Sequence, residues 1–181
     1  MKFTMIQNSL ATLGFILLFF SDFLWVKGKK PAVALRQSGY VAIFCGIGVW
    51  AFSPPSASAP DSLLSVALIA AAAASSALLF WSVFIEIGAE RKKHGLGPAD
   101  VVNSGSYGLC RHPGFWWFAI LILTLGILKG FSANFPTILF MTALDLLLIL
   151  FQDSYTFPKV FRGYDDYRKS VPFLFPRIRK E

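Results

Sequence analysis

Apolar residues along the chain fall into long unbroken runs, separated by short clusters of Lys, Arg, Gly, Pro and Ser. A helix needs about 20 mostly apolar residues to cross roughly 30 Å of hydrocarbon. By that measure the pattern predicts five membrane-crossing helices, at about Gln7–Val26, Gln37–Phe52, after Asp61 to about Ile87, Pro113–Leu128 and about Pro136–Phe151. Segments two, four and five are short for a full crossing. The first ends in "FFSDFLWV", aromatic residues of the kind that anchor at a membrane interface, and its length and lack of a small-residue cleavage pattern read as an anchor, not a removed leader. "SPPSASAP" stops the second. "ALIAAAAASSALL" in the third offers small residues that let neighbouring helices approach closely. Pro113 suits the first turn of the fourth. The expected fold is therefore an all-α integral membrane protein. It forms one membrane domain, with three N-terminal helices over residues 1–88 and a loop, a helical hairpin and a tail over residues 89–181.

Composition agrees with this reading and narrows it. Of the 181 residues 55% are hydrophobic and only 15% charged, far from a soluble domain. The net charge of +7 is spread along the flanks of apolar runs, which points to an anionic membrane surface and away from nucleic acid. Cys45 and Cys110 lie far apart and match no metal or redox spacing, so neither a disulfide framework nor a metal site is expected.

Five spans sort the basic residues. The first interhelical loop carries Lys27, Lys29, Lys30 and Arg36, and the third carries Arg91, Lys92, Lys93 and Arg111. The tail carries Lys159, Arg162, Arg168, Lys169, Arg177, Arg179 and Lys180. All of these fall on one side, leaving only Lys2 and Lys129 on the other. The positive-inside rule then predicts a multi-pass protein with its N-terminus outside and its C-terminus cytoplasmic. It also gathers the polar stretch Glu86–Pro113 and the tail from Gln152 onward on one face. About seven residues join segments four and five, so an antiparallel hairpin brings Pro113 near Gln152.

The chemistry concentrates in "VVNSGSYGLCRHP". Gly105 and Gly108 permit backbone conformations that expose amides. Tyr107 can stack or hydrogen-bond, Arg111 carries a fixed fork of donors for a carboxylate or phosphate, and His112 can donate or accept near neutral pH. An anionic or zwitterionic cofactor suits such a cradle. So does a plain interfacial loop, with Arg111 on a lipid phosphate, His112 as a cap and Tyr107 in an aromatic belt.

"GSYGLCRHPGF" resembles the G-x-Y-x-x-x-R-H-P-x-[YF] signature of the membrane-embedded isoprenylcysteine carboxyl methyltransferase and phospholipid methyltransferase superfamily. That family carries a second motif after the hairpin: E-E-x-x-L, then F-G-x-x-Y-x-x-Y, then V-P and a final proline. The corresponding stretch here is "QDSYTFPKVFRGYDDYRKSVPFLFP", in which Tyr164, Tyr167, Val171, Pro172 and Pro176 keep the spacing. The resemblance covers roughly residues 97–177. It implies S-adenosylmethionine as cofactor, bound on the cytoplasmic side between loop and tail, and a lipid or lipidated acceptor entering from the bilayer. Gly105, Tyr107, Arg111, His112 and Pro113 then form the cofactor cradle, and Tyr164 and Tyr167 close over it. Arg111 or His112 meets the cofactor carboxylate, and aromatic faces attract its sulfonium. A carboxylate acceptor is already a nucleophile, whereas an amine or hydroxyl calls for a base, for which His112 or Asp153 qualifies.

The chain departs from the family pattern in Gln152 and Asp153, where paired glutamates stand, in Thr156 at the leucine, and in Val160–Phe161 at the Phe-Gly pair unless a gap restores Gly163. Gln152 cannot act as a base, and Asp153 has the choice between a catalytic role and a salt bridge to the basic loop. Two other classes fit the same residues. "YRKSVPFLFPRI" is similar to the end of membrane sterol reductases, which use NADPH, and Gln152 suits a non-catalytic lipid-binding protein. Asp145, inside the fifth apolar run, reads either as functional or as a buried hydrogen-bond partner of a serine or threonine. Asp22 sits near a helix end within reach of water. Glu86 and Glu90, one helical turn apart, either face the site or, as the favoured reading, pair with Arg91 or Lys93; "ERKKH" is expected to be a solvated or lipid-facing charge patch, and Trp116 and Trp117 to sit in an interface belt or at the acceptor entrance.

Overall fold

The computed structural model describes residues 2–55 and 60–176; within them the chain is helical and contains no strand. The basic residues Arg177, Arg179 and Lys180 and the middle of "SPPSASAP" lie outside the described residues. Helix α1 spans Lys2–Val26, α2 Pro31–Ala51 and α3 Ser62–Phe80. A π-helical turn, Trp81–Glu86, carries α3 without a break into α4, Ile87–His94. After a loop with a 3₁₀ turn at Gly105–Gly108 come α5, Pro113–Leu128, and α6, Phe131–Phe151. A second π-helical turn, Gln152–Thr156, leads into α7, Phe157–Val160, and α8, Tyr164–Ser170, follows.

Local chemistry sets these limits. Pro31 opens α2 and Pro113 opens α5, where a missing N–H costs nothing. Asp61 caps α3 by accepting from the Leu64 amide at 2.9 Å. Gly95, at φ 65°, ends α4 in the left-handed conformation that other residues avoid.

Four helical stretches are long and apolar enough to cross a membrane: Met5–Val26, Pro31–Ala51, Ser62–His94 and Phe131–Val160. The shorter α5 is apolar throughout and about 24 Å long at 1.5 Å per residue. This is a multi-pass membrane architecture. Its outer faces display Leu63, Val66, Ile69 and Leu139 at 59–82% exposure, as a lipid-facing surface would.

Several limits differ from those expected. The second helix begins at Pro31, not Gln37, and its 21 residues are long enough to cross. The third continues past Ile87 to His94, because the π turn keeps the backbone helical through the polar boundary. Helix α6 begins at Phe131, five residues before Pro136, so only Lys129 and Gly130 join it to α5 where about seven residues were expected. Asn134 makes the early start possible. Its amide donates to the Lys129 and Gly130 carbonyls at 3.1 and 2.9 Å, while its carbonyl oxygen accepts from the Trp50 indole at 3.1 Å.

Helix α1 packs between α2 and α6, and α5 packs between α6 and α3. Glycines let α1 and α2 meet closely: a Cβ on Gly39 would lie 2.9 Å from the Gly14 carbonyl oxygen. Phe15, Trp50, Ile122 and Met141 are almost fully enclosed where the helices converge. Trp50–Asn134 and Lys129–Ser53 contacts tie one end of the bundle. At the other end the α1–α2 turn, the loop after α4 and the tail converge. There Trp25 meets Phe161 edge-on at 5.5 Å, Arg162 pairs with Asp100 at 3.0 Å, and the Arg162 amide donates to the Ala99 carbonyl at 2.8 Å.

Candidate functional site

The loop between α4 and α5 is shaped by the end of the long third helix. A π turn misaligns the regular i to i−4 ladder, and here the Ser82 carbonyl accepts from the Tyr107 hydroxyl at 2.9 Å. One turn on, the Glu86 carboxylate accepts from the Ser106 amide at 2.5 Å and from its hydroxyl at 2.6 Å. Gly105, at φ 61°, brings the backbone close enough for this, and a Cβ there would strike Glu86. Glu86 thus anchors the loop instead of pairing with Arg91 or Lys93. Glu90 does pair with Lys93, at 3.5 Å, and also accepts from Ser104.

Arg111 joins this loop to the tail. Its Nε and Nη2 donate to the two oxygens of Asp153 at 2.7 and 3.2 Å, and Nη1 donates to the Arg168 and Val171 carbonyls at 2.9 and 2.8 Å. Its backbone amide donates to the Pro172 carbonyl at 3.0 Å. The fork expected to receive a cofactor carboxylate is therefore already closed by Asp153, so Arg111 acts as a clasp. The Tyr164 hydroxyl donates to Asp153 Oδ1 at 2.8 Å, and the Tyr167 hydroxyl donates to the Tyr107 carbonyl at 2.6 Å. Burial pushes both tail phenols and Tyr107 well above the ordinary tyrosine range, so all three remain neutral donors. Asp153, carried on the second π turn, lies behind Arg111 and Tyr164 and is not on the cavity lining, which places it as the other half of the clasp and not as a base at the acceptor.

His112, 7% exposed, stacks on Phe157 at 5.9 Å and meets Phe173 edge-on at 5.0 Å. Its Nε2 is 3.5 Å from Asp153 Oδ1, too long for a hydrogen bond, and has no other partner. Burial lowers its pKa from the ordinary 6.5; nearby Asp153 opposes the shift and Arg111 reinforces it. The imidazole is neutral at pH 7.

A cavity of about 590 Å³ opens between these parts, a size common for ligand sites. Tyr107, Arg111, His112, Pro113, Tyr164 and Tyr167 line it, so loop and tail residues far apart in sequence share one chamber. Gly105 does not line it; its contribution is to shape the turn against Glu86. From the basic end the cavity extends into the bundle, where Phe15, Leu18, Ile43, Phe118 and Leu148 form an apolar wall.

The lining also holds polar residues that sequence reasoning set aside. Arg91 belongs to the "ERKKH" run read as surface charge, yet it lines the cavity, with Nη2 on the Asp100 carbonyl at 3.3 Å and Nε buried without a partner. Helical spacing was the available signal, since Lys92, Lys93 and His94 turn away on the exposed side. Asp22 was expected near water; it is 2% exposed, paired with Arg36 at 3.1 Å and accepting from the Gln152 amide at 2.8 Å. Gln152 is thereby a bridge between the first helix and the tail. Trp116 donates to the Leu174 carbonyl at 2.8 Å and meets Phe175 edge-on, tying the tail to α5. Comparison of the chain with family models, with curated proteins and with solved structures finds no match.

Proposed function

We propose that this protein is a membrane-embedded methyltransferase that uses S-adenosylmethionine to methylate a lipid or lipidated acceptor at the cytoplasmic membrane face. The observation that carries the reading is the single chamber that holds His112, Tyr107, Tyr164 and Tyr167 at its polar end and an apolar wall at its other end. The motif resemblance in loop and tail adds support. The residues present also fit the cofactor chemically. Arg91 Nε and His112 Nε2 are buried polar atoms with no protein partner, on the lining, suited to a carboxylate. Phe157, Tyr107 and Tyr164 offer aromatic faces to a sulfonium. When bound, the cofactor supplies an electrophilic methyl group on a good leaving group.

The chain's own work is then to position and to exclude water. The Arg111–Asp153 clasp and the Tyr167–Tyr107 bond hold the tail against the loop, and Phe173 covers the outer edge of His112. The apolar wall suits an acyl or prenyl chain. With Nε2–H given to the cofactor carboxylate, neutral His112 keeps only its Nδ1 lone pair to take a proton from an amine or hydroxyl acceptor, whereas a carboxylate acceptor requires no base. The basic end faces the cytoplasm by the positive-inside rule.

The test is incubation of purified protein and methyl-labelled S-adenosylmethionine with a total membrane extract. Label should enter a lipid-soluble product, at least tenfold less with His112→Ala. A folded protein that labels nothing, or that is thermally stabilised by NADPH and not by S-adenosylmethionine, defeats the proposal.

A further inference from the structure

Charge can be matched group by group around the chamber. Asp22 is answered by Arg36 and by the Gln152 amide. Asp100 is paired with Arg162, and Arg111 with Asp153. Among the described residues two of the Asp and Arg groups on the lining form no ion pair: Arg91 at the basic end and Asp145 within the bundle. Asp145 lies on α6 seven residues before Gln152, about 10 Å deeper along the helix. It shares the wall with Tyr40, Leu148 and Ile149, and among the described residues no serine or threonine is hydrogen-bonded to it. A carboxylate in the middle of a membrane-spanning helix is costly, and its usual compensation is a protein cation or a water-filled or ligand-filled cavity. Here the cation is missing and the cavity is present. The same chamber also contains the buried His112 imidazole, whose Nε2 makes no protein hydrogen bond and lies 3.5 Å from Asp153 Oδ1.

We propose that Asp145 selects the acceptor, holding the amine head of an amphiphile whose hydrocarbon chain lies along Phe15, Leu18, Ile43 and Phe118. An ammonium would neutralise the unmatched carboxylate, whereas a carboxylate head would place a second negative charge beside it. Of the acceptors left open by the motif chemistry, the lining thus favours the amine. The inference rests on the reading of this chamber as the acceptor site, and concerns binding alone.

Full-length protein in detergent is titrated with dodecylamine, dodecanol and dodecanoate, and separately with S-adenosylmethionine. The wild type should bind the amine at least tenfold more tightly than the alcohol, and the carboxylate least. Asp145→Asn, which keeps the side-chain shape, should abolish the preference for the amine while leaving alcohol and S-adenosylmethionine affinities unchanged. Equal binding of amine and alcohol by the wild type, or an undiminished preference in the variant, overturns the proposal. Competition by phosphatidylethanolamine assigns the amine to a lipid headgroup, and competition by the single-chain amine alone assigns it to a long-chain base; both support the role of Asp145. If the amine preference stands while S-adenosylmethionine fails to bind, the methyl-transfer reading falls and the selection by Asp145 does not.

Discussion

Arg111 and Asp153 are 10% and 8% exposed at the side chain, so removing Asp153 leaves Arg111 enclosed without its carboxylate, and removing Arg111 leaves Asp153 with only the more distant Arg168, at 3.5 Å, to oppose its charge. Loss of one member of a buried pair costs about 3–5 kcal/mol, far more than a surface ion pair contributes. Arg111→Ala should therefore lower the unfolding temperature in detergent markedly, and Arg111→Lys should rescue little, because an ammonium cannot reach Asp153 bidentately and the tail carbonyls together. An unfolding temperature unchanged by Arg111→Ala contradicts the clasp. His112 provides a pH signature. The fold favours its neutral form, so the unfolded chain takes up the proton first as pH falls. The stability this residue contributes is complete above about pH 6.5, the ordinary value, and is lost progressively as pH drops toward the lowered folded value. His112→Asn should flatten that part of the stability profile between pH 7.5 and 5, measured by thermal unfolding. An identical slope in the variant would assign the pH dependence elsewhere.

Helical turns decide what each of these side chains can reach. Hydropathy made the helices legible, since Pro113–Leu128 and the ends at Val26 and Phe151 match the apolar runs. The two π turns were not legible, because an inserted residue changes backbone register without changing composition. They matter nonetheless, one turning Ser82 and Glu86 toward the loop and the other carrying Asp153 to Arg111. Pro136 misled for a related reason. A proline reads as a helix start, whereas the Asn134 side chain satisfies the first turn upstream of it. Motif spacing brought Tyr107, His112 and the tail tyrosines to one chamber, but the partners of Arg111 and the inward face of Arg91 depend on three-dimensional pairing that spacing does not encode. Two glycines test the role of the turn. Gly105→Ala forces a left-handed alanine, about 1–2 kcal/mol, and drives a methyl into Glu86. Gly88→Ala, in open space on α4, should stabilise by about 0.5–1 kcal/mol. Chemical or thermal unfolding of both variants should show opposite signs; equal effects would remove the special geometry of Gly105.

For the whole molecule, the α1–α2 turn, the α4–α5 loop and the tail meet at one end, and Lys129 lies at the other. With Cys45 and Cys110 replaced, single cysteines at Lys30, Lys93 and Lys129 report the orientation. An impermeant thiol reagent added to intact cells should label K129C, and should reach K30C and K93C only after lysis. Labelling of K30C in intact cells would invert the arrangement, with the basic end outside. The chamber itself is a whole-molecule property, since α1, α2, α3, α5, α6, the loop and the tail all contribute to its wall. Its proposed occupant can be measured directly by calorimetric titration of S-adenosylmethionine into the purified, folded protein. Saturable one-to-one binding, weakened at least tenfold by Arg91→Ala and by His112→Ala, is the expected result, and a folded wild-type protein that takes up no S-adenosylmethionine would contradict it.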